Sequence, residues 1–208
     1  MCKKQIISLM TAAVLALSPA AFAQDSAAND AAMEQALKAL DAQLPGTLIN
    51  NPYDIQWSTI GSDKKESVVK SEGAPGGMAY RVKVKKRKSK PWDIHTRIPM
   101  TTSIAKDETI LLSFWARMET PPKGKEVGNI TVALQRNVEP YDQIFLEDIA
   151  PTREWKLYSV TGTASRAYSA EKTQLTFNLA RTKQTIELGQ FYIMSLGPNA
   201  DTSKYVNN

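Results

Sequence analysis

The alternation of apolar and polar residues is the feature that most restricts how this chain folds. A period of two is the pattern of a β-strand that buries one face and exposes the other. Within residues 109–117, Leu112 and Phe114 share one face, whereas Trp115 and Arg117 share the opposite face. Several other segments repeat this pattern, so strands are predicted along most of the chain.

Turn signals divide the alternating pattern into ten segments, each of which predicts one strand. The segments cover residues 66–71, 78–85, 93–98, 109–117, 129–137, 143–147, 155–161, 173–180, 184–188 and 190–196. No long helical pattern separates them, as it would in a parallel β–α–β fold. The sequence therefore predicts an all-β fold, an antiparallel β-sandwich of the jelly-roll type.

A short helix is predicted ahead of the strands. Residues 24–44 carry apolar residues at helical spacing, namely Met33, Leu37, Leu40 and Leu44. The pattern ends at Pro45-Gly46. Its single narrow apolar stripe predicts either a helix docked on the domain or a linker. The domain itself is assigned to residues 45–198, and the polar residues 199–208 predict a loose tail.

The first 23 residues have the features of a bacterial secretory signal peptide. Lys3 and Lys4 precede an apolar run over residues 6–17, and Ala21-Phe22-Ala23 matches the pattern of a cleavage site. The apolar run is too short to span a bilayer, so no transmembrane segment is predicted. We expect cleavage after Ala23 and a periplasmic or secreted protein.

The cysteine content excludes several kinds of chemistry. The only cysteine, Cys2, lies in the predicted signal peptide. The exported chain would therefore have no disulfide, no thiol chemistry and no cysteine-based metal site. Burial and hydrogen bonding alone would hold the fold together.

The net charge is small, so an electrostatic function would depend on a local cluster. The formal charge is +5, and loss of Lys3 and Lys4 lowers it by two. One cluster places six cations within eight residues: Lys83, Lys85, Lys86, Arg87, Lys88 and Lys90. It is either a solvated hairpin end, or a surface that attracts an acidic polysaccharide or an anionic membrane. Nucleic acid is not an expected partner of an exported protein.

Amide, hydroxyl and aromatic side chains mark the predicted outward faces, where Lys and Glu are more usual. Sugar hydroxyls both donate and accept, so amide and guanidinium groups suit them, and the apolar face of a sugar packs on aromatic rings. The candidate ligand-binding residues are Trp92, His95, Arg97, Trp115, Arg117, Gln135, Asn137, Tyr141 and Asn178. The hypothesis requires them to converge on one water-filled face. For Trp115, packing at the core or a sheet edge is an equal alternative.

A Pro-aromatic-Asp tripeptide occurs three times, as Pro52-Tyr53-Asp54, Pro91-Trp92-Asp93 and Pro140-Tyr141-Asp142. Proline restricts the preceding residue and presents the ring from a defined turn. We interpret Trp92 and Tyr141 as platforms at the rim of a sugar site. Ordinary turn chemistry, in which Asp bonds its own backbone, is the alternative and is favoured for Tyr53.

The chain resembles the CenC-type carbohydrate-binding modules of families 4, 9 and 22, which are galactose-binding-like jelly rolls. The segments that carry the resemblance are residues 110–117, 130–135, 154–158, 175–179 and 185–193, together with Pro91-Trp92-Asp93. The resemblance covers about residues 45–197. It implies non-catalytic binding of xylan or β-glucan, or of an acidic relative, on a concave face or loop rim. It also implies a glycoside hydrolase as a functional partner.

The resemblance has consequences for single residues as well. By position, the concave-face or rim candidates are Trp92, His95, Trp115, Gln135 and Asn178. Many such modules hold a structural calcium through an Asp in the final strand. Here that stretch reads Ile186-Glu187-Leu188-Gly189, without the Asp, so we expect no calcium and no other cofactor.

Two other classes of function stay open. A polysaccharide lyase would use His95, Arg97 and a tyrosine, and a hydrolase would need two facing carboxylates from the acidic residues of 139–148. A lone histidine and acidic loop residues more often have structural or solvated roles, and no full catalytic constellation is visible. A sandwich of this type also serves as a protein-binding adaptor, because fold does not determine function.

Overall fold

Two antiparallel sheets stack face to face and are preceded by one helix. The computed structural model describes residues 26–53 and 57–205, and within them the helix is α1 (Ser26–Asp41). The strands are β1 (Thr47–Leu48), β2 (Ser58–Ile60), β3 (Lys64–Lys70), β4 (Met78–Val84), β5 (His95–Pro99), β6 (Glu108–Thr120), β7 (Ile130–Arg136), β8 (Gln143–Ile149), β9 (Lys156–Thr163), β10 (Thr173–Asn178) and β11 (Gln184–Pro198). The predicted all-β sandwich with a short N-terminal helix is confirmed.

The order of the strands separates the two sheets. Sheet 1 has the order β3-β4-β11-β6-β9, and β1 also pairs with β11. Sheet 2 has the order β2-β5-β10-β7-β8. Neighbouring strands are mostly distant in sequence, so the chain crosses repeatedly between the sheets, as it does in a jelly roll.

Two features of the strands differ from the sequence-based prediction. The strands β1 and β2 were not predicted, because two or three residues are too few to show alternation. The two strands predicted over 184–188 and 190–196 form the single strand β11. A bulge between Leu188 and Phe191 shifts the register with β6, so these two residues both face the core although they are three apart.

The core lies between the sheets and is built from the predicted apolar faces. Phe114 of sheet 1 meets Phe177 of sheet 2, with their rings edge to face and 5.1 Å between centroids. Trp57 stacks on Phe177 at 6.4 Å and also contacts Tyr80 and Phe191. These aromatic contacts join the two sheets at the centre of the sandwich.

The helix α1 docks on the outer face of sheet 1, which resolves the choice between a docked helix and a linker. Leu40 packs there against Leu111, Tyr192 and Met194 in a second apolar cluster. Tyr205 packs against the same cluster. The opposite outer face, that of sheet 2, has no helix on it in the part of the chain that the structure describes.

The C-terminal segment is held in place as far as residue 205, so the prediction of a loose tail is wrong for residues 199–205. The Asn199 N–H donates to the Asp107 carbonyl (2.9 Å), and the Ala200 N–H donates to the Thr109 hydroxyl (3.0 Å). The predicted signal peptide, residues 1–23, lies outside the described residues. Among the described helices, none has the length and apolar character needed to cross a membrane.

Replacing Phe177 with Ala should lower the free energy of unfolding by about 3–5 kcal/mol, because it removes the ring that joins the sheets and leaves a cavity. Urea denaturation of both proteins measures this difference. Val68→Ala is the control, because Val68 is 43% exposed and its loss should cost about 0.5 kcal/mol or less. Equal losses in the two variants would contradict this position of the core.

Candidate functional site

The register of sheet 2 aligns outward side chains into three rows across its strands. The first row is Ile60, His95, Asn178, Thr131 and Asp148. The second row is Ser58, Arg97, Thr176, Ala133 and Leu146. The third row is Pro99, Gln174, Gln135 and Gln143. Strands lie about 4.8 Å apart, so a five-residue row crosses about 19 Å. We call this surface the sheet 2 face.

Several polar groups of the sheet 2 face have no partner among the residues that the structure describes. The side chains of Asn178, Gln174 and Gln135 form no hydrogen bond with any described residue, although Asn178 is only 6% exposed. Arg97 is exposed, and it forms no ion pair or hydrogen bond within residues 26–53 and 57–205. The amide atoms of Asn178 keep some access to solvent, because they are not among the fully buried side-chain atoms without a hydrogen bond. These amides and the guanidinium are therefore available to a ligand that brings its own donors and acceptors.

One end of the sheet 2 face carries Trp92 and His95. Trp92 is 56% exposed and belongs to a short 3-10 turn, Pro91–Asp93, in which the Asp93 carboxylate accepts the Lys90 N–H (3.1 Å). His95 Nδ1 donates to the Trp92 carbonyl oxygen (2.7 Å), which leaves Nε2 as the outward nitrogen. The turn therefore presents the indole to solvent, and its backbone also holds the imidazole of His95.

Asn137 and Tyr141 lie at the other end of β7, beyond Gln135. Asn137 is held by the segment before β10: its side-chain amide donates to the Glu171 carbonyl (3.2 Å) and its backbone N–H to the Lys172 carbonyl (2.9 Å). Tyr141 is 52% exposed in the β7–β8 connection, where its N–H donates to the Val138 carbonyl (2.9 Å). Both residues thus flank the third row from a connection between two strands of sheet 2.

Trp115 and Arg117 do not join this surface, and the expectation that they complete its floor is wrong. Both lie on β6, and their outward side faces away from sheet 2. Arg117 Nε donates to Glu187 (2.7 Å), and its guanidinium carbon lies 5.4 Å from the centroid of the Trp155 ring. Alternation separates an inward from an outward side chain, but it does not say to which sheet a strand belongs.

Glu187 is the centre of an ion cluster on the outer face of sheet 1. Its carboxylate is fully buried and accepts from Arg81 (2.7 Å), Arg117 (2.7 Å) and Ser71 (2.7 Å). Burial alone would raise the pKa of Glu187, but these hydrogen bonds outweigh burial and the pKa lies below its usual value. The position where the family resemblance would place a calcium-binding Asp is thus taken by a carboxylate that binds two guanidinium groups.

Carboxylates at the edge of sheet 2 are paired with arginine. Asp142 lies 3.5 Å from Arg136 and 3.7 Å from Arg166, and Asp148 lies 3.3 Å from Arg181. A general acid needs a raised pKa, which pairing with arginine opposes. Within the described residues, no group of three or more His, Cys, Asp or Glu side chains is placed to hold a metal ion.

Other members of the sheet 2 face were not among the sequence-based candidates. Thr176 and Gln174 lie two and four residues before Asn178, so the same alternation along β10 would have found them. Arg181 reaches the face from the β10–β11 turn by its contact with Asp148. No local signal identifies it, because this contact joins parts of the chain that are far apart in sequence.

The chain matches the model of one protein family and is similar in fold to solved structures. The model of a family described as carbohydrate binding domain, CBM_4_9, matches residues 50–185, which include all nine candidate residues. No curated protein matches the chain.

Many solved structures have a similar fold, among them the following three. A CBM4 structure is 20% identical over 67% of this chain and 94% of its own, with a TM-score of 0.53. The second N-terminal cellulose-binding domain of β-1,4-glucanase C from Cellulomonas fimi is 17% identical over 73% of this chain and 92% of its own, with a TM-score of 0.52. An arabinose-bound MgGH51 α-L-arabinofuranosidase is 16% identical over 74% of this chain and 27% of its own, with a TM-score of 0.56.

Replacing Glu187 with Gln should lower the free energy of unfolding at pH 7 by about 2 kcal/mol, because Arg81 and Arg117 lose their counter-charge. Since the folded pKa is depressed, the carboxylate stabilises the fold above its ordinary pKa of 4.5 and loses this effect as the pH falls below that value. The difference between wild type and Glu187→Gln should therefore shrink on acidification. Urea denaturation at pH 7 and at about pH 3.5 measures it, and a difference that grows towards low pH would contradict the assignment.

Proposed function

The chain belongs to the carbohydrate binding domain family (CBM_4_9), and from this premise we propose that the sheet 2 face binds a polysaccharide without cutting it. The outer face of sheet 1 is a poorer candidate. It is partly covered by α1, and Arg117 and Arg81 on it are already bound to Glu187. Among the residues that the structure describes, no helix covers the sheet 2 face, and its Arg97 is not bound to a carboxylate.

The unpaired amides of the sheet 2 face are the observation that carries this proposal. Asn178, Gln174 and Gln135 lie on two adjacent strands, and Arg97 lies on the strand beside them. A glycan presents pairs of neighbouring hydroxyls, each a donor and an acceptor, and planar amides and a guanidinium satisfy such pairs. A protein surface that only has to meet water does not need this combination.

The exposure of the side chains suits an extended ligand. Thr176 and Asn178 on the central strand are nearly buried, whereas Arg97 and Leu146 on either side stand out into solvent. A chain of sugars lying in this depression would contact the amides on its underside. Trp92 would stack on a sugar ring at one end of the face, with the imidazole of His95 beside it. Tyr141 would stack on another sugar ring at the opposite end, beyond Gln135.

The ligand class that we propose is a xylan-like or β-glucan-like polysaccharide. Affinity for it should be modest, since each hydrogen bond to a sugar replaces one to water.

The chain would act in the bacterial periplasm or outside the cell, and would hold substrate for a separate glycoside hydrolase. Two similar folds belong to enzymes of that general kind, a β-1,4-glucanase and an α-L-arabinofuranosidase.

Trp92→Ala should weaken binding to its preferred glycan about tenfold, because it removes the exposed ring at the rim. Affinity electrophoresis in gels with xylan or β-glucan measures this as a loss of retardation. Trp115→Ala is the matched control, since Trp115 lies on sheet 1 and its loss should leave the retardation unchanged. Equal effects of the two substitutions in folded proteins would contradict the choice of face.

Asn178→Ala should also weaken glycan binding, by about fivefold to tenfold, because it removes an amide that would hydrogen-bond the ligand. Unlike most buried polar groups, it has no hydrogen-bond partner in residues 26–53 and 57–205, so the free energy of unfolding should not fall. Isothermal titration and thermal denaturation on the same samples separate the two effects.

Depolymerisation of the glycan would instead support a lyase or hydrolase, and no retardation on any glycan would support a protein-binding adaptor.

A further inference from the structure

A belt of cations borders the end of the sheet 2 face that carries Trp92. It begins on the outer face of sheet 1, follows the segment between β4 and Pro91, and ends beside Trp92. We call it the basic belt, and its members are Lys65, Lys83, Lys85, Lys86, Arg87, Lys88 and Lys90. The Lys88 N–H donates to the Ala180 carbonyl (2.9 Å), so the belt passes next to the β10–β11 turn, which adds the exposed cations Arg181 and Lys183.

Few acidic groups neutralise the basic belt. Asp63 binds Lys88 at 2.5 Å, and the Asp93 carboxylate is occupied by the Lys90 N–H and the Ser89 hydroxyl. Lys85, Lys86 and Arg87 are exposed and form no ion pair with a described residue. The pKa of Asp63 is lowered, first by its hydrogen bond with Lys88 and by the charge of Lys88, and further by the charges of Lys86 and Lys85. An excess of positive charge therefore remains at this end of the sandwich.

The basic belt includes one pair of like charges placed directly opposite each other. Lys65 on β3 and Lys83 on β4 are cross-strand partners on the outer side of sheet 1. Such partners have Cβ atoms about 5 Å apart, and like charges there are destabilising. The two lysines line a cleft of about 260 Å³ with Arg81, Thr185 and the carboxylate of Glu119. Glu119 forms no ion pair with either lysine, so an anion in this cleft would still relieve their repulsion.

Protection of a sheet edge explains only part of the basic belt. Lys65 lies on the edge strand β3, where lysine discourages pairing with another chain. Lys85, Lys86 and Arg87 follow the end of β4, which is an interior strand between β3 and β11. These three cations guard no edge, so their clustering requires a different reason.

The basic belt is continuous with the sheet 2 face. Lys90 Nζ lies 5.6 Å from the centroid of the Trp92 ring, and the Trp92 carbonyl accepts from His95, which belongs to the first row. Arg97 then extends the positive charge onto the face itself. A membrane is a flat anionic surface, whereas this path curves around one end of the sandwich and enters a depression. Its shape favours a flexible, chain-like polyanion.

We propose that the ligand is an acidic polysaccharide, with uronate residues whose carboxylates bind the basic belt while neighbouring hydroxyls bind the sheet 2 face. This inference rests on the proposed function, because it names the substrate class of the same site. A ring stacked on Trp92 would place its substituents beside Lys90. The following segment of the polymer would then meet Lys85, Lys86 and Arg87.

The test compares each acidic glycan with its own neutral form. Glucuronoxylan and polygalacturonate are each used before and after chemical reduction of their carboxyl groups to alcohols, and binding of the full chain is measured by isothermal titration. The variant is K85Q/K86Q/R87Q. The matched control, K38Q/K70Q/K106Q, removes the same charge from exposed lysines on α1, at the far end of β3 and in the β5–β6 connection.

We expect at least one carboxylated glycan to bind about tenfold more tightly than its reduced form, and K85Q/K86Q/R87Q to remove that difference while the control keeps it. The preference should also weaken as salt rises to about 0.15 M, where screening is strong beyond about 8 Å.

Equal binding of carboxylated and reduced glycans overturns the acidic assignment and leaves the proposed function intact. Absence of binding to all glycans overturns both. Binding to phosphatidylglycerol vesicles but to no carboxylated glycan overturns this inference in favour of a membrane surface.

Discussion

Burial of every second side chain between the two sheets is the constraint on which the rest of the structure depends. Phe114 and Phe177 meet across the sandwich, and their contact fixes which sides of β6 and β10 face inward. Because the side-chain period of a strand is two, a shift of one residue would turn the whole of β10 over. Asn178 and Thr176 would then enter the core, and Phe177 would lie in water. The packing of the core therefore also positions every side chain of the sheet 2 face.

The two outer faces differ in whether their polar side chains are bound to other groups of the protein. On sheet 1, α1 covers one part, and in another part the Glu187 carboxylate satisfies two guanidinium groups and a hydroxyl. On sheet 2, the amides of Asn178, Gln174 and Gln135 have no partner among the described residues. Polar groups that stabilise a fold are bound within it, whereas groups that serve a ligand are held in position and left unpaired. This contrast distinguishes the structural face from the face that we assign to glycan.

The charged groups divide in the same way. Arg81, Arg117 and Arg136 all lie close to carboxylates, and their main effect is on stability. The cations of residues 85–87 are exposed and lie outside the sheets, so they contribute little to stability and remain available to an anion. Because the net charge of the whole chain is only +5, this local excess could not have been inferred from composition. Its position beside Trp92 is the reason why we propose that it binds a ligand.

Local patterns in the sequence determined the strands and which side of each strand is buried. The alternation in β6, β7 and β10, the helix before Pro45 and the ring-presenting turn at Trp92 are all properties of a few neighbouring residues. The tertiary structure alone decided which strands are neighbours. It placed His95, Asn178 and Thr131 in one row and moved Trp115 and Arg117 to the other sheet. Strand pairing joins residues far apart in sequence, and the free energy that selects it comes from packing across the core, which no short segment contains.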